Sequence, residues 1–324
     1  MTHVLLAIIY VAFISLGLPD ALLGAAWPSM YRDFSVPVSY SGIIFMIIST
    51  LGFSFMQIFV KLTSGKFTLM QQVFMRNFVM LIICTIYILV RGSSFLGEKK
   101  NRKLLLMRST FGYMGVIFNF YAINNMVVAD AGILQRTSPI FVVLIACFLF
   151  KEKFTLERFL TLTFSFIGAI FVVRPQFNSR LFPAMVAMSS ALSASIAYMC
   201  VSKIGKAEKT ETIIFIFSLF STICSFPFIF KNLNIPDLKI FIYLILIGVA
   251  SAVGQFGLTI SYQYANASEV SIFNYLGIVF VVILGKVILD ESVSIYSLIG
   301  IVLIFSMSLM SYIINSRKNK EKKL

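Results

Sequence analysis

Charge is scarce in this chain, and negative charge scarcest: 12% of its 324 residues are charged, with 13 Asp and Glu against 27 Lys and Arg. A soluble domain of this size carries about twice that share of charged residues, so an ordinary water-facing surface is excluded. Histidine occurs once, as His3, which removes histidine zinc sites, a His general base and a Ser-His-Asp triad. No GxxxxGK[ST] loop is present to cradle a phosphate. The four cysteines, Cys84, Cys147, Cys200 and Cys224, lack CxxC spacing and each falls within an apolar run. They read as free thiols packed as small hydrophobes, and no metal or other cofactor is expected. With no recurring cluster of His, Cys or paired carboxylates, an enzyme reading has little to stand on.

What the chain has is apolar length: 59% of residues are hydrophobic, and mean hydropathy is +0.94. Crossing a hydrocarbon core of roughly 30 Å takes about 20 apolar helical residues. Runs of that kind lie near 41–60, 70–90, 104–124, 130–150, 156–173, 181–202, 211–230, 239–262, 267–289 and 294–315. The expected fold is therefore an all-α membrane protein of ten transmembrane helices. Residues 4–28 could form an extra N-terminal helix, although Gly17, Pro19 and Asp20 interrupt it. A signal peptide fits that segment less well, because no Lys or Arg precedes the apolar stretch.

The net charge of +14 sits between the runs and in the tail RKNKEKKL, so it reads as a topology signal and not as a nucleic-acid footprint. Alternate loops on one side hold 17 Lys and Arg, against six on the other. That asymmetry places the C-terminus in the cytoplasm of a multi-pass protein of the cell membrane. Arg76, Arg108, Arg136 and Lys286 fall inside the runs.

Shifting the chain on itself by 139 residues brings 121–152 onto 260–291 without a gap. Phe141-Val142-Val143 meets Phe280-Val281-Val282, and Glu152 meets Glu291; Asp130 matches Glu269, Gln135 matches Asn274, and Ser138 matches Gly277. A unit of five helices is odd in number, so its second copy enters the membrane inverted. The expected organisation is a 5+5 inverted repeat, 41–173 and 181–314, followed by a basic tail at 315–324. Inverted repeats suit alternating access to one central site.

Two segments carry a family resemblance. FYAINNMVVADAGILQRTSPIFVVLIACFLFKEKFTLERFLTLTFSFIGAIFVVRP and YANASEVSIFNYLGIVFVVILGKVILDESVSIYSLIGIVLI both resemble the EamA-type domain of the drug/metabolite transporter superfamily; the second has Ile278 where the first has Pro139. The resemblance spans about 42–314 and implies a carrier or exporter of a small polar metabolite, such as an amino acid. It also implies a cavity between the repeats, lined by helices one, three, four, six, eight and nine. Residues 1–40 differ: LLAIIYVAFISLGLPDALLGAAWPSMYRDFSVPVSYSGIIFMIIS resembles the opening of a major facilitator transporter. A gene fusion would produce such a join, as would an assembly error, and a non-transporting fusion product is the competing reading.

Helical periodicity nominates the candidate binding residues. In span four Gly132, Gln135, Ser138, Val142 and Ala146 share a face, matched in span nine by Ser271, Asn274, Gly277, Val281 and Gly285. Faces this small either pack helices closely or line a cavity. Gln135 and Asn274 favour the cavity, since a buried amide offers donors and acceptors to a polar substrate. Span three adds Arg108, Gly112, Gly115, Asn119 and Ala122, span eight Ser251, Gly254 and Ser261, span one Ser49, Ser54 and Gln57, and span six Ser190, Ser193 and Tyr198. Tyr121 and Tyr262 either stack on a ligand or belong to an interfacial belt. Arg136 and Arg76 either reach back to the outer surface or, in the case of Arg136, face the cavity and attract a carboxylate or phosphate. The residues nominated for substrate binding are Gln135, Asn274, Asn119, Arg136, Gln57 and Tyr198. No Asp or Glu lies mid-span, which fits facilitated diffusion, exchange, or coupling through a carboxylate at a helix end. The expected partners are a small-molecule substrate and the lipid bilayer, with no nucleic acid and with a homo-oligomer left open.

Overall fold

The computed structural model describes residues 38–63, 66–125, 134–150, 155–173, 181–231, 237–289 and 295–321. Residues 1–37, which hold the expected N-terminal helix and most of the segment resembling a major facilitator transporter, lie outside the described residues, as do Asp290 and Glu291. Every regular element among the described residues is helical. The helices are α1 Val38–Thr63, α2 Leu69–Arg91, α3 Arg102–Asn125, α4 Ser138–Phe150, α5 Leu156–Val173, α6 Leu181–Ile204, α7 Thr210–Ser225, α8 Leu238–Tyr264, α9 Leu276–Leu289 and α10 Ile295–Glu321. A single α-turn at Ala267–Val270 and a 3-10 segment at Ser271–Tyr275 lead into α9.

Seven of these segments are long and apolar enough to cross a membrane: those at 41–63, 69–91, 181–207, 210–229, 238–264, 267–288 and 295–314. Helix α3 falls outside that set and carries Arg102, Lys103, Arg108, Asn119, Asn124 and Asn125. Span four contributes a shorter apolar helix at 138–149.

Local chemistry accounts for the ends of α2. Thr68 accepts from the Gln71 amide at 3.4 Å while its own amide donates to Gln71 Oε1 at 2.9 Å, a reciprocal capping box. At the other end Gly92 takes φ 61° and donates its amide to the Ile88 carbonyl, the left-handed turn that stops a helix.

Packing pairs helices from the two halves: α1 lies chiefly on α8, α3 on α6, α5 on α10 and α2 on α7. The first two contacts are close enough for hydroxyls to reach backbone carbonyls. Ser49 donates to the Gly254 carbonyl at 2.7 Å, and Ser190 donates to the Gly115 carbonyl at 2.7 Å. Five residues on, Ser54 lies 3.0 Å from the Gly277 carbonyl and Ser195 lies 3.0 Å from the Ser138 carbonyl. The acceptors Gly115 and Gly254, and likewise Ser138 and Gly277, stand 139 residues apart in the chain, and both serine pairs stand 141 apart. Small residues permit the approach: a Cβ on Gly52 would meet the Gly254 backbone nitrogen at 2.7 Å.

Cys84 and Cys200 are buried, and Cys147 and Cys224 are half-buried.

Candidate functional site

Span four and span nine are both interrupted, and at matching positions. Residues 134–135 are helical, Arg136 and Thr137 form a turn, and α4 starts at Ser138, with Pro139 in its first turn. Pro lacks an amide proton and disfavours helix at the residue before it, so a break here follows from the sequence. In span nine the interruption is the 3-10 segment Ser271–Tyr275, formed with Ile278 in the Pro position. Interrupted helices free backbone groups to meet a partner. One does so: Arg136 Nη1 donates to the Asn274 carbonyl at 3.2 Å, and the guanidinium lies against Gly277. The two breaks therefore touch.

Gln135, Arg136 and Asn274 thus come together with α6. Gln135 Oε1 is placed 2.8 Å from Ser190 Oγ, the same hydroxyl that donates to Gly115. One hydroxyl has one proton, so both contacts are satisfied when the amide turns its NH2 toward Ser190, leaving the amide oxygen free to accept. Tyr198, two turns further along α6, is half-buried and stacks on Tyr262 of α8, with centroids 5.3 Å apart and planes 18° apart. Asn119 is half-buried on α3, and Gln57 is exposed on α1. No hydrogen bond joins either of these two to the Gln135–Asn274 group.

Two further arginines belong to this region. Arg76 on α2 is 7% exposed and its Nε donates to Ser251 of α8 at 3.2 Å. Arg108 on α3 is 3% exposed, its Cζ 3.7 Å from the centroid of the Phe217 ring on α7, a cation–π contact. Its Nε and Nη1 have no hydrogen-bond partner among the described residues. Both side chains thus turn inward instead of reaching back to the surface. Arg76 and Arg108 flank one cluster, in which Met80 of α2, Phe217 of α7 and Ala252 of α8 pack together. Among the described residues no carboxylate pairs with Arg76, Arg108 or Arg136. A charge at helix-centre depth costs about 2.5–3.5 kcal/mol on insertion scales, so three without counter-charge demand a reason. Residue pattern put Arg108 on the right face but left Arg76 as a surface-reaching side chain. The signal that could have linked them is the coexistence of three arginines inside apolar runs with no acid inside any run.

The ends of the helices nearest Glu208 and Glu269 are tied down. Glu208 accepts from the Glu98 amide and from Asn101 Nδ2, each at 2.8 Å, and Glu211 accepts from Ser93 at 2.6 Å. Gln263 donates to the carbonyls of Gly205 at 2.7 Å and Glu208 at 2.9 Å. Nearby, Arg158 at the start of α5 pairs with Glu269 at 3.1 Å, both about one-sixth exposed.

Known proteins supply the context for this arrangement. The pseudopaline exporter CntI of Pseudomonas aeruginosa is 29% identical over 242 residues, covering 74% of this chain and 84% of that protein. Solute carrier family 35 member G1 of Mus musculus is 28% identical over 77% of this chain and 72% of its own length. A riboflavin transporter of Brucella anthropi is 28% identical over 72% of this chain and 84% of its own. A solved crystal structure only 16% identical superposes with a TM-score of 0.76, covering 86% of this chain and 98% of that one, so the fold is shared. The family model for EamA-like transporters matches twice, at 40–174 and 181–313. With two such domains filling most of its length, and helices apolar enough to span a bilayer, this chain is a multi-pass membrane transporter belonging to the EamA-like transporter family.

Proposed function

We propose that the chain carries a small polar metabolite by alternating access between two five-helix repeats of opposite orientation. In this reading ten spans cross the membrane and the basic tail lies in the cytoplasm. The twin serine seams carry the proposal. Ser49 and Ser54 on α1 bond to the second domain's α8 and α9 as Ser190 and Ser195 on α6 bond to the first domain's α3 and α4. A swap of this kind, with each domain's first helix seated on the other domain's third and fourth, is what a two-fold relation between the halves produces. It makes two equivalent bundles that can rock about the meeting point of the two broken helices. Gln135, Asn274, Asn119, Arg136, Gln57 and Tyr198 are the residues assigned to the substrate path.

Reconstitution tests this reading. Full-length protein in proteoliposomes should exchange a labelled substrate for unlabelled substrate trapped inside, and protein lacking residues 1–40 should retain most of that flux. Absence of flux for every polar metabolite tried overturns the carrier reading; flux only after removal of 1–40 identifies the leading segment as inhibitory. A protease-sensitive tag after Leu324 should survive protease added to intact cells, and its cleavage from outside would reverse the assigned topology.

A further inference from the structure

We infer that the substrate site is an anion site, in which Arg76, Arg108 and Arg136 together take a small organic anion with at least two negative charges. The inference rests on the transport reading and narrows its substrate. Three observations carry it. The first is cations without neutralisation: buried Arg76 is held by a hydroxyl, half-buried Arg136 by a backbone carbonyl and buried Arg108 by an aromatic face, none of which bears charge. The second is the open capacity of Arg108, which is 3% exposed yet has two nitrogens, Nε and Nη1, without a partner among the described residues. A buried donor left unmet is costly, and a fully buried cation more so. The third is proximity: Met80 of α2, one turn beyond Arg76, packs in one cluster with Phe217, which Arg108 faces, and with Ala252, beside the Ser251 that holds Arg76, and the electrostatic influence of all three arginines on Tyr198 of α6 agrees with it.

Like charges brought together away from water repel strongly, and an anion lying among them removes that repulsion while satisfying the free donors. Guanidinium groups suit the task, since each offers a planar pair of N–H donors to a carboxylate. The number of charges follows from the anchoring. Arg76 is fastened toward α8 and Arg136 toward α9, so the groups reach the site from different helices and are not gathered on one point. An anion with separated carboxylates matches three separated guanidinium groups better than a single tetrahedral ion does. The stacked Tyr198–Tyr262 pair offers an apolar face for the carbon skeleton between those charges. A zwitterion fits poorly, because its ammonium would enter a region with three cations and, among the described residues, no carboxylate to receive it.

Binding and flux need to be measured separately. Purified full-length protein in detergent is titrated with tricarballylate, succinate, glycerol 3-phosphate, butyrate and glutamine, with affinity and thermal shift recorded for each. Tricarballylate and succinate should bind more tightly than butyrate or glutamine, and Arg108→Gln should weaken tricarballylate by about ten- to hundredfold. Because Nε and Nη1 of Arg108 have no hydrogen-bond partner among the described residues, this substitution removes charge without breaking a hydrogen bond at either atom. Should it fail to fold, Arg108→Lys keeps the charge and should lose less affinity. Arg76→Gln and Arg136→Gln should narrow the preference for tricarballylate over butyrate, a selectivity change that a purely structural role would not produce. Glycerol 3-phosphate binding more tightly than succinate assigns phosphate as the second charge; the reverse assigns carboxylate. Equal binding of glutamine and tricarballylate, or binding indifferent to all three substitutions, overturns the anion site. Tricarballylate that binds but is not transported in proteoliposomes leaves the anion site standing and overturns the carrier reading instead.

Discussion

The first EamA domain carries the buried cations and the second carries none of their counterparts. Counting from the capping residues Thr68 and Lys209, Arg76 corresponds to Phe217; under the 139-residue shift Arg108 corresponds to Ile247 and Arg136 to Tyr275. The backbone plan is shared, serine for serine along the two seams, while the chemistry at its centre is not. Phe217 packs against Arg108, and Tyr275 interacts electrostatically with Arg136, so each meets a cation of the other domain. In the proposed alternating-access reading, motion falls to what the domains share and recognition to where they differ.

The largest effect should come from the shared scaffold, where the two seams differ in tightness. A Cβ on Gly52 would lie 2.7 Å from Gly254 N and 3.0 Å from the Ala250 carbonyl, all backbone that cannot step aside. On the other seam a Cβ on Gly115 would meet nothing nearer than 3.3 Å. Gly52→Ala should therefore destabilise by about 1–3 kcal/mol through overpacking, and Gly115→Ala by clearly less. Thermal unfolding of both variants in one detergent checks this; equal losses would mean that the α1–α8 contact is no tighter than the α3–α6 contact. The same pair of substitutions should slow exchange in that order if the seams move during transport.

Much of this scaffold is legible in the residues, and the reasons are physical. Apolar length predicts the helices because lipid leaves the backbone no other way to satisfy itself. The 139-residue register predicts that Gln135 and Asn274 are equivalent, and the structure brings their neighbourhoods into contact through Arg136. The 141-residue register of the serines is not legible, since the loops before α3 and α8 differ in length and shift the phase between helices. Nor is the break in span nine, which forms without proline. Convergence of Arg76 and Arg108 was hidden for a different reason: each lies on its own helix with an ordinary apolar neighbourhood, and only tertiary packing shows that both turn inward. Asn119 and Gln57 were nominated by helical face alone, and a face does not say whether a side chain reaches a neighbour.

A middle-sized effect separates the two amides. Gln135 contacts Ser190, which anchors it to the α3–α6 seam, whereas the Asn274 side chain lies beside the Tyr262 hydroxyl and its backbone carbonyl meets Arg136. Replacing each by Leu keeps volume and removes the polar atoms. Both should weaken substrate binding by about 1–2 kcal/mol, or ten- to thirtyfold. Gln135→Leu should lower thermal stability more than Asn274→Leu, because it strips a contact from Ser190, a hydroxyl of the helix seam, whereas Asn274→Leu affects the Tyr262 hydroxyl alone. Normal affinity in both variants would reduce the shared face of spans four and nine to a packing surface.

The smallest effect concerns the ion pair at one end of the molecule. Arg158 and Glu269 join the start of α5 to the turn before α9, at 3.1 Å and about one-sixth exposed. Under the 139-residue shift the position equivalent to Arg158 is Ser297, which is buried and cannot supply a charge, so the second domain lacks this link. If each domain guards one mouth of the pathway, the mouth beside Glu269 has an ionic latch that has no counterpart among the described residues of the opposite one. Partly exposed pairs contribute little, roughly 0.5–1 kcal/mol, since water screens them and two long side chains must be held still. Even that amount would favour the closed state of one mouth by about two- to fivefold. Arg158→Gln and Glu269→Gln, alone and together, form a double-mutant cycle for exchange rate and for accessibility of a single cysteine introduced at that mouth. The singles should each raise accessibility by that factor, and the double should add little beyond either. Additive changes would show that the two side chains act separately, with Glu269 engaged instead by its other partner, Asn266, at 3.0 Å.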